Sequence, residues 1–119
     1  MDYFNIDPNI KKLPPEEIRF ISLQAEPFED RQRIRIRLEL TPFQQSPCIE
    51  LNLSDSEGNF ISSVSIIEPP LWKQELIMHV RNSSLVNGEL SLIARLFYPE
   101  RENQDKCTIQ FKFPVKSIE

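Results

Sequence analysis

An all-β fold, an antiparallel sandwich of seven short strands, is what this sequence predicts. Three observations carry that reading. Apolar and polar residues alternate with a period of two along most of the chain, and no stretch of useful length repeats at helical spacing. All ten prolines fall between the alternating stretches or at their ends, where a missing N–H breaks no ladder. The stretches recur every ten to fifteen residues or so, the rhythm of a sandwich.

The first strand is expected over 18–26. Ile18 and Phe20 set one phase, while Ile21, Leu23 and Ala25 follow in the other, so the chain should bulge near Phe20. The second, 33–41, begins Arg-Ile-Arg-Ile-Arg-Leu-Glu-Leu, a strict alternation with an apolar face and an arginine face. The third, 48–54, puts Ile49, Leu51 and Leu53 inside; in the fourth, 60–67, Phe60, Val64 and Ile66 compete with Ile61 and Ile67 for the inner face. The fifth, 74–81, is set by Leu76, Met78 and Val80, the sixth, 89–98, by Leu90, Leu92, Ala94 and Leu96, and the seventh, 106–113, by Cys107, Ile109, Phe111 and Phe113. Gly58 and Gly88 sit in polar connections where turns need positive φ. Lettered A, B, C, C′, E, F and G, these strands have the order of a seven-strand immunoglobulin-like or fibronectin type III-like sandwich. They lack the Cys-Trp-Cys core of antibody domains, and Leu90 stands where a corner tyrosine would. Residues 1–17, with four acidic residues and three prolines, read as a poorly ordered N-terminal arm; 18–113 form the domain and 114–119 a C-terminal tail.

The chain of 119 residues is one domain's worth, large enough to bury a real core without disulfides or metal. Its 39% hydrophobic and 27% charged residues are those of a globular protein, and the net charge is -4. Met1 to Leu13 has no apolar run that could serve as a signal peptide, and no segment approaches the length of a membrane helix. By strand parity Cys107 should point inward and Cys48 outward, at a strand edge where it could oxidise, so the two should not pair. Two free thiols fit a reducing cytoplasm, in which the sequons at Asn52 and Asn82 carry no sugar.

The segments Leu38-Glu39-Leu40-Thr41-Pro42-Phe43, Ser65-Ile66-Ile67-Glu68-Pro69 and Ala94-Arg95-Leu96-Phe97-Tyr98-Pro99 resemble a family of small immunoglobulin-like β-sandwich proteins from photosynthetic bacteria, to which no activity is assigned. The similarity spans about residues 18–113. It implies a bacterial cytoplasmic protein and brings no catalytic residues with it.

Catalysis finds little material here. His79, the one imidazole, has the parity of Ile77 and Arg81 and should face outward, with no carboxylate or thiol at a useful spacing. Two isolated glycines cannot build a phosphate-cradling loop. Asp55 and Glu57 belong to one end of the sandwich and Glu100, Glu102 and Asp105 to the other, so the carboxylates do not converge on a metal. The expectation is therefore no enzyme, no cofactor and no metal.

Three surfaces remain as candidates. Because the second, fourth and sixth strands run the same way, their exits at Pro42-Phe43, Pro69-Pro70-Leu71-Trp72 and Tyr98-Pro99 should gather at one end. That end either plugs the core or, as rigid proline loops presenting aromatic side chains, binds a partner. Arg33, Arg35 and Arg37, preceded by Arg31, project from one face about 6.8 Å apart. They form either an anion rail for RNA or DNA, or a solvated face paired with Glu26, Gln24 and Glu75; the acidic balance and the lack of interleaved aromatic residues favour the second. Finally, Ile93, Phe97 and Thr108, with Ile67 or Ile61, would make the outer side of the second sheet less charged and open to self-association. Together these readings describe a protein-interaction or scaffold module whose partner is another protein or itself, with no membrane and with nucleic acid as the lesser alternative.

Overall fold

Ile34, Ile36, Leu38 and Leu40 are all buried and the arginines between them are not, as the alternation requires. A computed structural model describes residues 10–30, 32–80, 88–100 and 104–113. Arg31, residues 1–9, most of the fifth-to-sixth connection and the 114–119 tail lie outside the described residues. Seven strands follow in order: β1 (Phe20–Pro27), β2 (Arg33–Leu40), β3 (Cys48–Asp55), β4 (Phe60–Ile67), β5 (Lys73–His79), β6 (Glu89–Phe97) and β7 (Asp105–Lys112). They form two antiparallel sheets, ordered β1-β2-β5 and β4-β3-β6-β7. These are the neighbours A-B-E and C′-C-F-G of the expected order. No described helix is long and apolar enough to cross a membrane.

The core lies between the sheets. Ile34, Ile36, Leu38 and Met78 come from the three-stranded sheet, and Ile49, Leu51, Leu53, Leu90, Leu92 and Leu96 from the four-stranded one, all at most 1% exposed. Each such side chain contributes about 1.5–3 kcal/mol when fully buried. Two bulges adjust the edge strands. In β1 the register shifts between Phe20 and Ser22, where the phase of the sequence slips. In β4, Leu53 faces Ser62 while Ser54 faces Phe60, so Ile61 is the extra residue. It turns onto the core and leaves Phe60 outside, which settles the competition for the inner face in favour of Ile61, Val64 and Ile66.

Two expectations need correction. Residues 10–17 are not a loose arm. Leu13 makes a parallel bridge to Phe43, donating its N–H to the Pro42 carbonyl at 2.8 Å and accepting from Gln44 at 2.9 Å. Pro15–Glu17 form a turn of 3-10 helix, and the Gln104 amide donates to the carbonyls of Pro15 and of Ile18, the latter at 2.8 Å. Asp105 then accepts the Phe20 N–H at 2.8 Å. The other correction concerns the cysteines. Both are free, yet Cys48, outward by parity, is only 7% exposed, because Ile67 and Phe97 flank it on the neighbouring strands; Cys107 is half-buried. Burial, with Asp105 nearby, pushes the Cys107 thiol up, away from the reactive thiolate.

Candidate functional site

The proline exits do gather at one end. Cys48 opens β3 and pairs with Ile67 on one side and Phe97 on the other, so β4 and β6 end together beside it. The end of β2 joins them where Leu40 donates to the Trp72 carbonyl at 2.8 Å. The β2–β3 connection is stitched across this end. Ser46 Oγ donates to the Pro69 carbonyl at 2.6 Å, Glu68 N–H to the Pro47 carbonyl at 3.2 Å, and the Tyr98 hydroxyl to the Gln45 carbonyl at 2.7 Å.

These aromatic side chains do not face solvent. Phe43 and Trp72 meet edge to face, ring centroids 5.9 Å apart, and Trp72 is 6% exposed; Tyr98 and Pro69 are buried as well. Pro42 and Leu71 are half-buried, which leaves Pro70 and Pro99 as the exposed members of the expected partner-binding set. The aromatic residues are the plug. A sandwich end left open would wet Leu40, Ile49 and Leu96, and large rings cover that gap with about 150–250 Å² of buried surface each.

Beside the plug lies an open cleft of about 180 Å³, lined by Pro15, Gln45, Ser46, Glu68, Tyr98, Pro99 and Glu100. Glu68 holds a left-handed backbone, φ 49°, directly before Pro69, a position where a β-branched residue would be strained. Ser46 is the one hydroxyl at the cleft besides Tyr98, and it is engaged as a donor to Pro69. His79 closes β5 at the opposite end, where it faces Arg33. The cleft therefore brings the carboxylates of Glu68 and Glu100 together with proline rings.

The arginine row is neutralised where it stands. Arg33 bonds Asp30 at 2.8 Å, Arg35 reaches Glu26 and Glu75 at 3.5 and 3.4 Å, and Arg37 reaches the same two at 3.7 and 3.2 Å. Three guanidinium groups thus share three carboxylates. Hydrogen bonds from Gln32 N–H and then the Arg33 side chain hold the Asp30 carboxyl below its ordinary value. An aromatic ring does accompany the row, contrary to expectation: Phe28 lies 4.4 Å from the Arg33 guanidinium and 5.1 Å from that of Arg35. It comes from the β1–β2 connection, which strand alternation does not reach.

On the outer face of the four-stranded sheet, Ile67, Cys48 and Phe97 form an apolar row with Ile67 73% exposed. The next row is polar. Arg95 pairs with Glu50 at 3.6 Å, and Asn52 also donates to Glu50 at 2.9 Å. Ile93 lies beyond that row, so the expected apolar surface is divided, and Ile61 has turned inside.

What alternation did not single out is β4 itself. Phe60-Ile61-Ser62-Ser63-Val64-Ser65-Ile66-Ile67 contains no charge, proline or glycine, and β4 ends its sheet with no described strand on its far side. The other three edge strands are guarded by Glu26 and Pro27 in β1, Lys73 and Glu75 in β5, and Lys106 and Lys112 in β7. Phe60 is 69% exposed at its start. The signal was available as eight consecutive uncharged residues, but edge position is a property of topology.

No family model matches the chain, and no curated protein does. Among solved structures, the β-glucuronidase of Lactobacillus rhamnosus is similar with a TM-score of 0.53 and 12% sequence identity. The match covers 82% of this chain and 16% of that one, so the chain spans about a sixth of the enzyme, and the likeness is one of fold.

Proposed function

We propose that this chain is a non-enzymatic protein-interaction module of the bacterial cytoplasm that meets its partner along β4 and the adjoining Ile67 corner of the outer sheet face. The observation that carries the reading is the unguarded edge: an uncharged strand with two large apolar side chains, Phe60 and Ile67, held out in solvent. The other surfaces support it by subtraction. The proline–aromatic end is occupied with sealing the core, and the arginine row is occupied with its own carboxylates. Free thiols and the resemblance carried by residues 38–43, 65–69 and 94–99 support the compartment.

The test is a paired capture from bacterial lysate, with the chain and its Phe60→Ser/Ile67→Ser double variant as baits. Both substitutions are at exposed positions and should leave the fold intact. Proteins held by the first bait and lost from the second are the expected result. Identical sets on both baits would overturn the assignment of the surface.

A further inference from the structure

We infer that the β4 edge takes a second copy of this chain, strand against antiparallel strand, joining two four-stranded sheets into one of eight. This deepens the interaction reading and rests on it. An open edge presents a row of backbone N–H and C=O groups, so the group that fits it is another strand. Self-pairing makes a strand meet its own side chains, and any charge would then face a like charge near the axis. β4 carries none, whereas β5 and β7 do, so β4 is the described edge that can meet itself without that repulsion.

The pleat also fixes the register. A two-fold axis perpendicular to the sheet carries the outer face onto the outer face, so paired residue numbers must differ by an even number. Centring the axis on Val64 sets Val64 beside its own copy, Ser63 opposite Ser65 and Ser62 opposite Ile66. This register keeps the bulged Ile61, and Phe60 before it, outside the ladder. Val64 and Ile66, half-buried at the rim of the core, then gain cover from the partner's inner face, and Ser63 and Ser65 pair on the exposed side.

Sedimentation equilibrium of the purified full chain, from about 10 μM to about 1 mM, tests this against two double variants. The wild type should dimerise as concentration rises. Ser63→Lys with Ser65→Lys sets lysines opposite each other twice and should weaken the dimer at least tenfold; Ser63→Lys with Ser65→Glu sets opposite charges across the same positions and should restore it. Amide hydrogen exchange on the wild type adds a reading that needs no variant: β4 amides should slow with concentration. A wild type monomeric throughout overturns the proposal and leaves the interaction reading to its own capture experiment. A dimer indifferent to both variants, a dimer lost in both, or protection gained away from β4 also overturns it.

Discussion

The hydroxyl of Tyr98 donates to the backbone carbonyl of Gln45 at 2.7 Å, joining the residue after β6 to the connection between β2 and β3. The bond crosses from the last turn of one sheet to the loop that leaves the other. It helps to hold that loop over the plug formed by Phe43 and Trp72.

Tyr98→Phe keeps the buried ring and removes the donor. Stability should fall by about 1 kcal/mol, the net worth of an ordinary intramolecular hydrogen bond. Urea unfolding measures it as a lower midpoint at unchanged slope. An unmoved midpoint would mean that water serves the Gln45 carbonyl equally well.

Trp72, at 6% exposure, should emit at blue-shifted wavelength and resist acrylamide. Truncating it to Ala should cost about 3–5 kcal/mol, a large share of a domain's usual stability of about 5–15 kcal/mol. A double-mutant cycle with Phe43→Ala should show about 0.5–1.5 kcal/mol of coupling, from the edge-to-face contact. Red-shifted, readily quenched emission would instead reinstate the exposed, partner-facing tryptophan.

Replacing Arg35 and Arg37 together by Gln should change stability by no more than about 1 kcal/mol, since partly exposed ion pairs are screened and flexible. RNA and DNA should run unretarded with the wild-type chain even at low salt. Retardation abolished by Gln at positions 33, 35 and 37 would revive the anion rail, with a steep salt dependence as its signature.

Asp55 caps the β3–β4 turn. Its carboxylate accepts the Asn59 N–H at 2.8 Å, the Glu57 N–H at 2.9 Å and the Asn59 side-chain amide at 3.1 Å, while Gly58 holds φ 85°. Those bonds, the Asn59 N–H foremost, hold the carboxyl below its usual 3.8. A depressed folded value means that the stabilisation is complete above the unfolded value and fades as pH falls through the folded one. The Asn59 amide resonance should therefore titrate with a midpoint below 3.8, and Asp55→Asn should abolish that transition. A midpoint above 3.8 would contradict the turn geometry.

Alternation made the strands legible because each exposes one face and buries the other. Ile34 to Leu40 show it, and a slip in the phase was enough to locate the bulge at Phe20. Direction along the chain, combined with sandwich order, was enough to bring Pro42, Pro69 and Pro99 to one end. Parity says nothing about residues between strands, so whether Phe43 and Trp72 would turn in or out was left open, and Phe28 beneath Arg33 went unseen. It also gives a face without giving its cover: Cys48 points outward and is buried by Ile67 and Phe97, neighbours fixed only once the strands are ordered. Residues 10–17 looked loose for the same reason. What holds them lies far along the sequence, Pro42 and Gln44 for Leu13 and Gln104 for Pro15.

That separation matters while the protein is being made. The bonds from Gln104 and Asp105 to Pro15, Ile18 and Phe20 span 85 to 89 residues of sequence, so they cannot form until Asp105 has left the ribosome. A chain stalled before Gln104 should be cut by protease between Pro15 and Phe20 more readily than a released chain. The segment from Pro15 to Phe20 is thus fastened at these bonds only on a molecule that has begun its seventh strand.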